Sequence, residues 1–127
     1  MNPIFDHERL DVYQEAISFI AWISVILESE KCVGDIRNQL DRASISIVLN
    51  IAEGNGKFTA KDRCRFFDNA HGSALECAAG LDVMVAKGWF ALGELQDGKS
   101  LLQRIVQMLF GLIKRLSNRT YGKQREA

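Results

Sequence analysis

No stretch of this chain alternates apolar and polar residues with period two over any length, whereas four stretches repeat apolar residues at helical spacing. The one proline, Pro3, lies ahead of all four, so no interior residue forces a helix to break. Helices that each carry a stripe to bury, joined by short connections, pack as an antiparallel up-down four-helix bundle, an all-α fold. The 127 residues, 47 % of them hydrophobic, suffice for one sizeable core, and a single domain over 1–127 is expected.

The first helix is expected over 6–29. Asp6 stands as its N-cap, with Glu8 and Asp11 favoured by the positive end of the helix dipole. Tyr13, Ala16, Ile17, Ile20, Ile23 and Leu27 form a stripe that Phe19, Trp22 and Ile26 widen beyond what one partner surface requires. The run "AISFIAWISVIL" is too short for a membrane span, and Glu15 and Glu28 close it off. The second helix is expected over 35–53, with Ile36, Leu40, Ala43, Ile47, Asn50 and Ile51 on one side. "GNG" should end it, since Gly54 and Gly56 can take the left-handed conformation common just past a helix end. Thr59 reads as the N-cap of a third helix over 60–87, with Asp62 in a capping-box-like position. Phe66, Phe67, Ala70, Ala74, Cys77, Leu81 and Met84 supply its stripe, and Gly88 stops it. The small residues from Gly72 to Gly80 would admit another helix closely. "GELQDGKS" reads either as loop or as the start of a fourth helix with a weak point at Gly98. That helix is placed over 93–118, on Leu102, Ile105, Val106, Leu109, Phe110, Leu112, Ile113 and Leu116, and 119–127 reads as a frayed tail.

Sixteen bases balance sixteen acids, which argues against non-specific nucleic-acid binding by the whole surface. The distribution is uneven: −5 over 1–35, +3 over 36–65, −4 over 66–98 and +6 over 99–127. Two basic clusters result, Lys57, Lys61, Arg63 and Arg65 around the second turn, and Lys114, Arg115, Arg119, Lys123 and Arg125 toward the C-terminus. A solvated helix face explains most such runs; a phosphate-binding surface is the sharper alternative, with Phe58 and Tyr121 available to stack on bases. Three cysteines without CxxC spacing, and the absence of a signal-peptide pattern at the start, lead us to expect a reducing cytoplasm.

Catalysis finds little support. A carboxylate-bridged di-metal bundle takes Glu from two helices and Glu-x-x-His from two more, but the two histidines, His7 and His71, have no Glu three residues earlier. Cys64 has Arg63 and Arg65 beside it only in sequence, where helical neighbours point apart. "GNGK" lacks the rest of a phosphate-binding loop. No catalytic, cofactor-binding or metal-ligating residue is therefore assigned. The polar residues of the central stretch, Arg42, Asn50, Glu53, Gly54 and Glu76, are read as structural. Arg42 would pair with Glu76 between the second and third helices, while Asn50 and Glu53 satisfy backbone groups near the glycine turn; a solvent-facing Glu76 is the alternative.

Gln39, Leu40, Arg42, Ala43, Ser46, Ile47, Asn50 to Gly54, Phe66, Phe67 and "AHGSALE" through Glu76 form a specific pattern. It resembles the bacterial four-helix-bundle proteins first associated with intervening sequences in large-subunit ribosomal RNA genes. "DVYQEA" and "MLFGLIKRL" agree as well, so the resemblance covers most of the chain. It implies an up-down bundle assembled as a ring-shaped homopentamer, and through the related accessory protein of diversity-generating retroelements it implies RNA or a nucleic-acid enzyme as partner. It brings no catalytic residue and no cofactor. The expectation is a non-enzymatic, homo-oligomeric scaffold with no membrane partner. A protein-interaction scaffold without nucleic acid, and a metal or small-molecule enzyme, are the alternatives.

Overall fold

The computed structural model describes residues 2–126, with side chains through Ser117. A short 3-10 turn, Asp6–Arg9, precedes four helices: α1 Asp11–Glu28, α2 Asp35–Asn55, α3 Ala60–Ala86 and α4 Leu92–Glu126. Among the described residues there is no strand. Each helix packs on the next and α1 closes against α4, while among the described residues the backbones of the diagonal pairs stay apart.

Side-chain contacts fix the directions. Gly54 meets Phe67 and Gly80 meets Leu40, so α2 and α3 run opposite ways. Cys64 lies against Ile113 and Ser117, and Lys99 against Asp82, which sets α4 antiparallel to α3. Trp22 lies on Gly98 and Glu15 on Arg104, and α1 is likewise antiparallel to α4. The four stripes meet in one core that includes Phe19, Ile23, Leu40, Ile47, Phe67, Leu81, Leu102 and Ile105.

Several ends form where the sequence places them, for the expected reasons. Thr59 Oγ accepts the Asp62 N–H at 3.1 Å and caps α3. At the other end Gly88 adopts φ +75°. Its N–H reaches the Val85 carbonyl and the Trp89 N–H reaches that of Met84, the paired bonds of a Schellman motif. Replacing Thr59 by Ala should cost about 1 kcal/mol, read as a lower urea midpoint with unchanged slope.

Other expectations are corrected. α1 does not start at Asp6: the Glu8 carboxylate turns back to the Ile4 N–H at 2.7 Å, a 3-10 turn intervenes, and the helix follows an extended Leu10. Asp6 instead accepts a 2.9 Å bond from Asn55 Nδ2. On α1 the core takes Phe19, while Ile17 faces out. α2 continues through "GN" to Asn55, and neither Gly54 nor Gly56 is left-handed; Gly56 sits at φ −85°, ψ −6°. Gly54 is buried inside the helix, where a Cβ would fall 2.9 Å from the Phe67 ring and 3.0 Å from Phe66 Cβ. The ambiguous "GELQDGKS" is helix: Glu94, three residues into α4, receives the Ala91 N–H at 2.9 Å, half of a capping box. That bond, aided by Lys31, holds the Glu94 carboxyl below its ordinary range. Gly98 is no weak point but a notch that holds the Trp22 ring. The backbone of α4 stays helical to Glu126, into the segment expected to fray.

Cys77 lies wholly inside the core. Burial, with the nearby Glu76 charge second, pushes its thiol up from 9.0 to about 12. The raised value means the folded state keeps a proton that the unfolded chain loses. The associated stability is complete below pH 9 and declines as pH rises from 9 toward about 12, by about 1.4 kcal/mol per pH unit. Cys77→Ala should flatten that alkaline loss in urea titrations at pH 8 to 11, and native Cys77 should resist iodoacetamide while unfolded chain reacts.

Candidate nucleic-acid interface

Antiparallel packing has a consequence for the two basic clusters. The first turns of α3 and the later turns of α4 share one end of the bundle, joined where Cys64 Sγ lies 3.9 Å from the Ile113 carbonyl and 3.8 Å from Ser117 Oγ. Lys57, Lys61, Arg65, Lys114 and Arg115 are all exposed there. Arg119, Lys123 and Arg125, with Tyr121, lie outside the residues whose side chains are described.

The members differ in how free they are. Lys57 Nζ and Arg65 Cζ each lie 4.9 Å from the centre of the Phe66 ring, and Arg65 also approaches Asp62 at 3.9 Å. These are exposed contacts that hold the cations in place at little energetic depth. Phe58, fully exposed, stands beside them. Arg63 is different. Its Nη2 donates to Asn55 Oδ1 at 3.3 Å, Asn55 in turn donates to Asp6, and its Nε is buried with no hydrogen-bond partner. The guanidinium ties α3 to α2 and the 3-10 turn, and offers less to an external phosphate than its neighbours do. Sequence reading missed Arg9, which joins Lys114 and Arg115 around a groove at this end. The fold alone, by bringing the 3-10 turn beside the middle turns of α4, reveals it.

The structural polar residues are arranged otherwise than expected. Arg42 and Glu76 do line one shallow groove between α2 and α3, but both are exposed and no ion pair joins them among the described residues. In water an exposed pair would return little for the side-chain entropy it costs. Asn50 does not serve the glycine turn. Its Nδ2 donates to the Ser46 carbonyl at 2.9 Å and to Ser46 Oγ at 3.0 Å, and Ser73 Oγ of α3 donates to the same Ser46 Oγ at 2.9 Å. The ladder that joins the helices is thus Asn50–Ser46–Ser73, with Glu53 exposed beyond it. Adjacent Ser and Asn residues on facing helices were the available signal for it. Gly54 serves packing, as above.

Among the described residues no three His, Cys, Asp or Glu side chains gather into a group that could hold a metal ion, and no helix is long and apolar enough to cross a membrane.

Comparison with known proteins bears on the fold and the family. A Bacteroides thetaiotaomicron VPI-5482 protein of unknown function from the S23 ribosomal protein family has a similar crystal structure. The TM-score is 0.77 at 19 % identity, over 81 % of this chain and 98 % of that one. At such identity the likeness concerns the helical-bundle fold. No curated protein matches the sequence. The family model described as 23S rRNA-intervening sequence protein matches residues 8–111. With that much of the sequence matched, from the 3-10 turn to the middle of α4, the chain belongs to the 23S rRNA-intervening sequence protein family.

Proposed function

We propose that this protein is a non-enzymatic, cytoplasmic, homo-oligomeric scaffold, with a pentamer favoured, whose basic end contacts RNA or a nucleic-acid-processing partner. The observation that carries the reading is that the α3 contact at Ile113 and Ser117 brings Lys114 and Arg115 of one sequence-distant basic cluster to the end of the bundle that holds Lys57, Lys61 and Arg65 of the other, on a chain of zero net charge. Cations dispersed for solubility alone have no reason to gather so. Self-association is supported by apolar side chains that the core does not absorb: Val25 is 70 % exposed, Phe110 60 % and Leu49 54 %. They leave apolar surface on α1, α2 and α4 that a neighbouring copy could cover. The same residues also favour the second reading, a protein-interaction scaffold without nucleic acid.

Light scattering with in-line chromatography tests assembly, and a compact monomer at high concentration refutes it. Binding to a ribosomal RNA fragment, followed by fluorescence anisotropy, tests the basic end. For about five phosphate contacts the affinity should fall by roughly a hundred- to a thousandfold between about 50 and 200 mM salt. It should also be lost in Lys61→Glu/Lys114→Glu/Arg115→Glu. RNA that stays unshifted at low salt leaves the protein-interaction scaffold in possession.

A further inference from the structure

A groove of about 630 Å³ opens between the start of α1 and the middle turns of α4, a size in the range of small-molecule sites. Its floor is apolar, made by Leu10, Val12, Met108 and Leu112, and Val12 belongs to the buried core. Arg9, Lys114 and Arg115 stand at its edge with Asp11 the one acid, and none of these three cations forms a salt bridge among the described residues. The α4 wall is interrupted at Gly111, where an added Cβ would meet nothing within 4 Å.

We propose that this groove binds a free medium-chain carboxylate, its alkyl chain on the apolar floor and its head among Arg9, Lys114 and Arg115. Two chemistries meet here, and the ligand must answer both. An apolar floor gives a phosphodiester backbone nothing to bond, and among the described residues no aromatic ring lines it for a base to stack on. A neutral hydrocarbon would leave the cationic edge unused, and a cation would be repelled by it. From Met108 to Arg115 the helix rises about 10 Å, the reach of a chain of about eight to ten carbons. The tail then supplies most of the affinity, and the exposed cations supply the choice of anion over alcohol or amine. This inference does not depend on RNA binding, though Lys114 and Arg115 would take part in both.

The test is calorimetric titration of the full chain, in whatever assembly it forms, with decanoate below its micellar concentration, alongside decan-1-ol and decyltrimethylammonium. Decanoate should bind at least about tenfold more tightly than decanol, and decyltrimethylammonium should not bind. Arg9→Gln/Lys114→Gln/Arg115→Gln should erase the preference for decanoate over decanol. Gly111→Trp, which grows into open space, should abolish decanoate binding with the helical circular dichroism unchanged. Absence of decanoate binding, equal binding of the ammonium amphiphile, or decanoate binding that survives Gly111→Trp would overturn the proposal. So would association only with anionic phospholipid vesicles and not with free decanoate.

Discussion

Phe67→Ala is expected to lower the stability of the folded chain by about 3–5 kcal/mol, the range for removing a large aromatic from a packed interior. Phe67 is 1 % exposed, so the whole ring is lost from the core rather than from a half-wet surface. Its surroundings also collapse poorly. The ring occupies the space that a side chain at position 54 would need, and Gly54, having none, cannot move in to fill the hole. For a domain of this length such a loss corresponds to a drop in Tm of roughly 10–20 °C, measured by circular dichroism. The same geometry couples Gly54 to the ring. With the ring in place, Gly54→Ala forces a Cβ to within 2.9 Å of it and destabilises. In the Phe67→Ala background only the Phe66 Cβ contact at 3.0 Å remains, and the same substitution should cost less than it does in the wild-type chain. A loss below about 1 kcal/mol for Phe67→Ala would mean that this helix pair is not packed as described.

The second large effect is at Gly98. A Cβ there would run into Trp22 Cζ3 and Cη2 and fall 2.6 Å from Cε3. The contact is with a rigid indole, not the free end of a flexible chain, so α1 and α4 must move apart. Overpacking of this kind costs about 1–3 kcal/mol. Opposing it, alanine is favoured over glycine inside a helix by about 1 kcal/mol. The clash wins, and Gly98→Ala should lower the urea midpoint. In a Trp22→Ala background the obstacle is gone and the same substitution should raise it by about 1 kcal/mol. Coupling of about 1–3 kcal/mol in the double-mutant cycle follows, the size of the clash itself. Additivity within about 0.5 kcal/mol would show that the indole does not sit on the glycine.

These two glycines show what can and cannot be read from one sequence. Caps are local chemistry, in which a donor and an acceptor lie a fixed few residues apart. Thr59 and the Gly88 stop were therefore legible. Sequence alone points Gly54 to a turn and Gly98 to a weak point because, taken by itself, a glycine has only a backbone to argue from. Their real reasons are Phe67, thirteen residues away on the next helix, and Trp22 on the first. The apolar stripes identified the helices but not their exact rotation, which is why Phe19 and Ile17 exchanged roles. Rotation also decided that Arg42 and Glu76 face water while Ser46 and Ser73 meet. The basic end was partly legible: four antiparallel helices with short links must place the start of α3 beside the end of α4. Nothing in the spacing announced that Arg63 would be drawn inward to Asn55, or that Arg9 would arrive at the same place.

The contacts at Gly54, Gly80 and Gly98 engage the α2–α3 pair near both of its ends and the α1–α4 pair once. Each works as a detent. Sliding one stave along its neighbour by a single residue would drive Phe67, Leu40 or Trp22 into main chain. Shear between helices, a common route by which bundles change shape, is therefore blocked in both pairs. A protein built this way passes force from one end to the other as a strut does.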